Sequence, residues 1–89
     1  MMREKVTIIN KLGLHARASA KLVNTACQFQ ADVLIRKDQQ EISAKSIMAL
    51  LLLAASKGTE LEVIAEGPDE QAALIAVKTL IDNRFDESE

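Results

Sequence analysis

The chain has 89 residues, with 11 basic and 13 acidic side chains, one histidine, one cysteine, two aromatics and 48% apolar residues. That length suits a single small domain over residues 1–89, burying roughly 60 to 65% of the unfolded chain's surface, with little room for a deep catalytic cleft. A net charge of −2, with Phe29 and Phe85 as the aromatics, speaks against nucleic acid as the partner, because counterion release needs clustered cations and base stacking needs aromatic platforms.

One cysteine cannot close an internal disulfide, which points to the reducing cytoplasm. The longest apolar run, residues 47–55, is nine residues, about half of what a membrane span requires, so no membrane insertion is expected. The apolar stretch at residues 6–9 is too short and too interrupted for a signal-peptide core. Charge is unevenly spread: residues 1–24 carry Arg3, Lys5, Lys11, Arg17 and Lys21 against Glu4, whereas residues 60–89 carry nine acids against Lys78 and Arg84. A cationic front end suits an anionic ligand or an acidic partner surface, and equally a solvated surface with no preference.

Residues 6–9, rich in β-branched side chains, predict a first strand, and Asn10-Lys11-Leu12-Gly13 a loop after it. From Ala16 the period changes. Ala16, Ala20, Val23 and Cys27, with Leu22 and Ala26 beside them, have the spacing of one helical face, so a helix of about three turns is expected to end near Cys27, which packs there as an inert thiol. Val33 and Ile35 alternate with Leu34 and Arg36, and Lys37-Asp38-Gln39-Gln40 separates them from residues 41–44. A hairpin of two short strands follows from that pattern.

Ser46 before the apolar run and Lys57-Gly58 after it have the chemistry of an N-cap and a left-handed C-terminal glycine, enclosing a short, mostly buried helix. Leu61, Val63 and Ala65 alternate with Glu60, Glu62 and Glu66, predicting a strand with an acidic outer face. Gly67-Pro68-Asp69-Glu70 stops that strand and starts a helix, with Pro68 in the first turn and acids against the positive end of the dipole. Ala73, Leu74, Val77, Leu80 and Ile81 form its apolar stripe, and residues 84–89 are expected to be a loosely held acidic tail. Three helices and four strands around one core imply an α+β domain of two layers, with helices over one face of the sheet.

Chemistry is concentrated at Leu12-Gly13-Leu14-His15-Ala16-Arg17. His15 immediately precedes the start of helical periodicity, where unpaired N–H groups and the macrodipole favour an anion. Arg17 supplies a guanidinium suited to phosphate oxygens, and Lys11 and Lys21 add attraction at longer range. A neutral imidazole is a competent nucleophile near pH 7, although the same spacing also fits a surface or capping histidine without chemistry. No metal is expected, because there is no second histidine and no adjacent carboxylate cluster. No strained glycine elbow surrounds a serine, so serine catalysis lacks support. Ser46 reads first as a cap; a phosphoryl group there would also sit at a helix N-terminus and place negative charge beside Ile47 and Met48.

Asn10-Lys11-Leu12-Gly13-Leu14-His15-Ala16-Arg17, Lys45-Ser46-Ile47-Met48, Ala55-Ser56-Lys57-Gly58 and Gly67-Pro68-Asp69-Glu70 together resemble the HPr family of the phosphoenolpyruvate-dependent phosphotransferase system, its nitrogen-related NPr branch included. The resemblance spans nearly the whole chain. It implies an open-faced β-sandwich, βαββαβα, with a four-stranded antiparallel sheet covered by three helices. It implies a phosphocarrier rather than an enzyme, needing no cofactor: His15 accepts a phosphoryl group on Nδ1 from phosphorylated Enzyme I and passes it to an Enzyme IIA-type protein, with Arg17 as the active-site arginine.

Ala16, Ala20, Ile47, Met48 and Leu51 map onto the family's docking surface. Ser46 matches the serine that an HPr kinase/phosphorylase modifies in some members, so a regulatory module controlled at Ser46 is the alternative function. The family commonly has proline where this chain has Ala18. Alanine-rich versions of this segment and an acidic ending resemble the nitrogen branch, whereas Lys45-Ser46-Ile47-Met48 resembles the sugar branch. A monomer is expected. A small α+β interaction domain with no phosphate chemistry is the remaining possibility.

Overall fold

The structure, a computed structural model, describes residues 1–88. Strands β1 (Met2–Thr7), β2 (Asp32–Lys37), β3 (Gln40–Ser43) and β4 (Glu60–Glu66) alternate with helices α1 (Ala16–Ala26), α2 (Ile47–Leu53) and α3 (Glu70–Asp82) in the order βαββαβα. The four strands form one antiparallel sheet in the order β1-β4-β2-β3. Val6, Val33, Ile35, Leu61, Val63 and Ala65 turn toward the helices and are buried with Leu22, Leu50, Leu74, Val77 and Ile81 in one core. The period-2 pattern of β4 therefore places its apolar set inward, as the alternation predicts.

Several local expectations are corrected. The first strand occupies Met2–Thr7 rather than residues 6–9, because pairing with β4 runs from Met2 opposite Ala65 to Thr7 opposite Glu60. Ile8 has left the sheet but stays buried, its N–H donating to the Thr59 carbonyl at 2.9 Å. In α1 the buried face is Ala18, Ser19, Leu22 and Ala26. Ala16 and Cys27 are exposed, and Ala20 and Val23 are half-buried. With alanine at four of its positions the helix offers two overlapping small-residue stripes, and Leu22 selects the one that faces the core. Cys27, expected to pack, caps the exposed end of the helix.

The apolar run beginning at Ile47 is not a mostly buried helix. Leu50 and Leu53 enter the core, but Ile47, Met48, Leu51 and Leu52 are exposed. It also ends earlier than Lys57-Gly58 suggested, at Ala54, which takes the left-handed conformation itself (φ 53°, ψ 41°). Pro68 lies ahead of α3 rather than in its first turn, and the N-cap residue is Asp69. The Asp69 carboxylate accepts from the N–H groups of Gln30 (2.9 Å) and Ala31 (2.8 Å), tying the start of α3 to the loop after α1.

The largest correction concerns residues 84–89. Phe85 is fully buried in the core, and residues 84–88 fold back over α1 instead of leaving the surface. Arg84, Phe85 and Asp86 are all left-handed (φ 56°, 53° and 62°), a conformation rare for side-chain-bearing residues. Burial of the phenyl ring offsets that cost. Glu89 lies outside the described residues.

Candidate functional site

The loop between β1 and α1 is held at each end. Asn10, fully buried, donates from Nδ2 to the Gly13 carbonyl at 2.8 Å, and the Gly13 N–H returns a bond to the Asn10 carbonyl at 3.2 Å. Gly13 has φ 67°, and a Cβ there would lie 2.5 Å from the Ala55 carbonyl oxygen, so only glycine fits. Leu14 is buried and its N–H donates to the Ala55 carbonyl at 2.8 Å, pinning the loop to the end of α2. His15 follows in extended conformation as the N-cap residue of α1, its carbonyl accepting from the Ser19 N–H at 2.9 Å.

This construction leaves the His15 side chain at the rim of an open depression shared with Leu12, Arg17, Lys21, Asp86 and Glu87. The ring is 26% exposed. Its Nε2 pairs with the Glu87 carboxylate, while among the described residues nothing hydrogen-bonds to Nδ1. The N–H groups of Ala16, Arg17 and Ala18, the first three of α1, likewise make no hydrogen bond among the described residues. Unpaired donors at a helix start, with the dipole behind them, favour an anion. Arg17 is exposed at the same depression, and its guanidinium is unpaired among the described residues, free to turn toward such an anion.

Lys21, expected to act at long range, instead donates to the Phe85 carbonyl at 2.8 Å and fastens the C-terminal segment to α1. Glu87 is also bonded by Asn10 Nδ2 at 3.0 Å. Burial pushes its carboxyl up, but the hydrogen bonds from Asn10 and His15, together with the charges of His15 and Lys21, outweigh that and hold it below the usual carboxylate range. Neither Glu87 nor Asn10 stands out as a site residue in the sequence. A terminal acid looks like solvent-facing tail, and only the burial of Phe85 two residues earlier reveals that the chain returns.

Ser46 is half-buried and caps α2, its Oγ accepting from the Ala49 N–H at 3.3 Å. Beside it Ile47, Met48 and Leu51 are exposed, and α2 packs against α1, on which Ala16 is exposed and Ala20 half-buried. Leu12, from the histidine segment, and Leu52 are exposed as well, though neither was among the docking residues expected from the sequence. Among the described residues no cluster of His, Cys, Asp or Glu is arranged to hold a metal, and no helix is long and apolar enough to cross a membrane.

Residues 2–83 match the family model described as the PTS HPr component phosphorylation site. The chain is 48% identical over 87 residues to the phosphocarrier protein HPr of Xylella fastidiosa, covering 98% of both. It is 46% identical over 87 residues to the phosphocarrier protein NPr of Escherichia coli, covering 97% of both. HPr-C-His of Thermoanaerobacter tengcongensis superposes with a TM-score of 0.96 at 39% identity over the whole of both chains. A structure described as an HPr dimer from that organism matches with a TM-score of 0.79 at 40% identity, covering 98% of this chain and all of that one. Relatives of this kind are named as carriers rather than catalysts, and the open-faced sandwich is theirs as well. By family model, sequence and fold, the chain belongs to the HPr family of phosphotransferase-system phosphocarriers.

Proposed function

We propose that His15 takes a phosphoryl group on Nδ1 from phosphorylated Enzyme I and passes it to an Enzyme IIA-type protein, in the sugar or the nitrogen-regulatory phosphotransferase system. The supporting observation is the arrangement of the ring: Nε2 is occupied by Glu87 and Nδ1 is not, at the start of a helix whose first three N–H groups lack partners among the described residues. A phosphoryl group there meets donors and a dipole without being enclosed, which suits a carrier that must also release it. Arg17 supplies charge to the phosphoryl oxygens. Ala16, Ala20, Ile47, Met48 and Leu51 form the face against which each partner docks in turn, the protein acting as a cytoplasmic monomer.

Incubation with phosphoenolpyruvate and Enzyme I is expected to produce an acid-labile, base-stable adduct on His15, absent from His15→Ala. An unchanged mass in the wild-type protein overturns the reading. Arg17→Ala is expected to slow transfer about 10-fold, less than the ~100-fold loss of a buried donor, because Arg17 is exposed. Transfer at the wild-type rate would remove Arg17 from the site.

Ser46 supports a second, compatible reading as a regulatory site. It stands directly before the exposed Ile47 and Met48, so a phosphoryl group on its Oγ would bring charge to the docking face. Treatment with an HPr kinase/phosphorylase and ATP, followed by peptide mapping, is expected to locate phosphate on Ser46; phosphate found only elsewhere contradicts it.

A further inference from the structure

Glu87 reaches the site from the far end of the chain and is held from two sides. Its Oε2 pairs with His15 Nε2 and its Oε1 accepts from Asn10 Nδ2 at 3.0 Å. Asn10 is fully buried and spends its other amide hydrogen on Gly13, in the loop that leads into His15. Two residues before Glu87, the fully buried Phe85 anchors the segment, and its carbonyl accepts from Lys21 of α1. A side chain fastened this way to both the loop and the helix that flank His15 is positioned rather than trailing.

A carboxylate accepts hydrogen bonds and donates none, so the ring nitrogen facing it must carry the hydrogen. A neutral imidazole has one N–H. With that hydrogen on Nε2, the lone pair is on Nδ1. We infer that Glu87 is a positioning residue for phosphoryl transfer: its carboxylate keeps the ring hydrogen on Nε2, reserves Nδ1 for phosphorus, and balances the positive charge that the ring gains when the new bond forms. The inference rests on the phosphocarrier reading and goes beyond it by assigning the choice of nitrogen to a residue of the C-terminal segment.

The step balances without moving a proton. The Nδ1 lone pair attacks phosphorus, and the bond from phosphorus to the donor breaks with its electron pair leaving on the donor. His15 then bears phosphorus on Nδ1, hydrogen on Nε2 and one positive charge, paired with the Glu87 anion. On transfer to the acceptor the Nδ1–phosphorus electron pair returns to the ring, which is again neutral. The charged groups around the ring are Arg17 and Lys21 from α1, Lys11 from the loop, and Asp86 and Glu87 from the C-terminal segment. Of these, Glu87 is the one bonded to a ring nitrogen among the described residues. The Asp of a Ser-His-Asp triad orients and charge-balances its histidine by the same physics.

The test compares Glu87→Gln and Glu87→Ala with wild type in steady-state phosphorylation by Enzyme I and phosphoenolpyruvate, alongside the 15N spectrum of the His15 ring. Gln keeps the shape of Glu but can donate to Nε2 and so favours hydrogen on Nδ1. Both variants are expected to lose about 10-fold in kcat with KM for the carrier unchanged, and Gln is expected to be no better than Ala. If Glu87 served only to pack the terminus, the isosteric Gln would match wild type, and that result overturns the inference. In wild type, Nε2 is expected at a pyrrole-like 15N frequency and Nδ1 at a pyridine-like one; hydrogen found on Nδ1 overturns it as well. Should wild type form no His15 adduct, the functional reading fails instead, and the ring spectrum alone then decides whether Glu87 sets the tautomer.

Discussion

In the proposed arrangement, which nitrogen of His15 keeps its lone pair depends on one residue more than 70 positions away, since Glu87 is 72 residues from His15 and 77 from Asn10. Asn10 is central to that arrangement because both amide hydrogens are committed, to Gly13 and Glu87, while its Oδ1 is buried without a partner among the described residues. Asn10→Asp would turn both donors into acceptors facing a carbonyl and a carboxylate. Urea unfolding is expected to show a loss of about 1–3 kcal/mol, and an unchanged midpoint would contradict the bonding described. Glu87 has its folded pKa depressed, so its contribution to stability is present above its ordinary value of 4.5 and lost as pH falls through the lowered value. The stability gap between wild type and Glu87→Ala is therefore expected to be open above pH 4.5 and to close as acidification carries the pH down through the lowered value. A gap that widens with acid would reverse the assignment. From the sequence, His15 and Arg17 are legible because chemistry and helix start coincide in six residues; Asn10 and Glu87 are not, because only the tertiary fold brings them together.

At the scale of elements, the terminal turn and α2 depart furthest from what local pattern suggests, for opposite reasons. Residues 84–88 look like a solvated acidic tail, yet one phenyl ring in the core is enough to draw the backbone inward and hold three consecutive left-handed residues. Phe85→Ala is expected to cost about 3–5 kcal/mol, the range for emptying a buried aromatic site. It should also release Glu87, visible as loss of the His15–Glu87 contact by NMR; a drop under about 1 kcal/mol with that contact intact would mean the ring is not the anchor. The run beginning at Ile47 looks like buried helix because it is apolar on every side, which is the pattern of a core helix. In the fold Leu50 and Leu53 face inward while Ile47, Met48, Leu51 and Leu52 remain outside. Strand β4 and helix α3 are legible because their apolar residues follow a single period; α1, crowded with alanine, has two, and only the packing of Leu22 decides between them.

For the whole molecule, the cationic first 24 residues and the acidic last 30 are not separate ends, since Asp86 and Glu87 are brought beside Arg17 and Lys21 at one depression. An apolar face lies next to it, with Met48 64% exposed. Because so little of Met48 is buried, Met48→Asp is expected to change stability by less than about 0.5 kcal/mol. Desolvating the new carboxylate on docking is expected to raise KM for Enzyme I about 10-fold while kcat stays the same. A lowered kcat with unchanged KM would move the docking face elsewhere. In the proposed reaction His15 Nδ1 is the atom that holds the phosphoryl group, and 31P–15N coupling in ring-labelled protein after reaction with phosphoenolpyruvate and Enzyme I reads that bond. A single phosphorus coupled to Nδ1 of His15 is expected; phosphorus on Nε2, or no phosphorus on this ring at all, would contradict it.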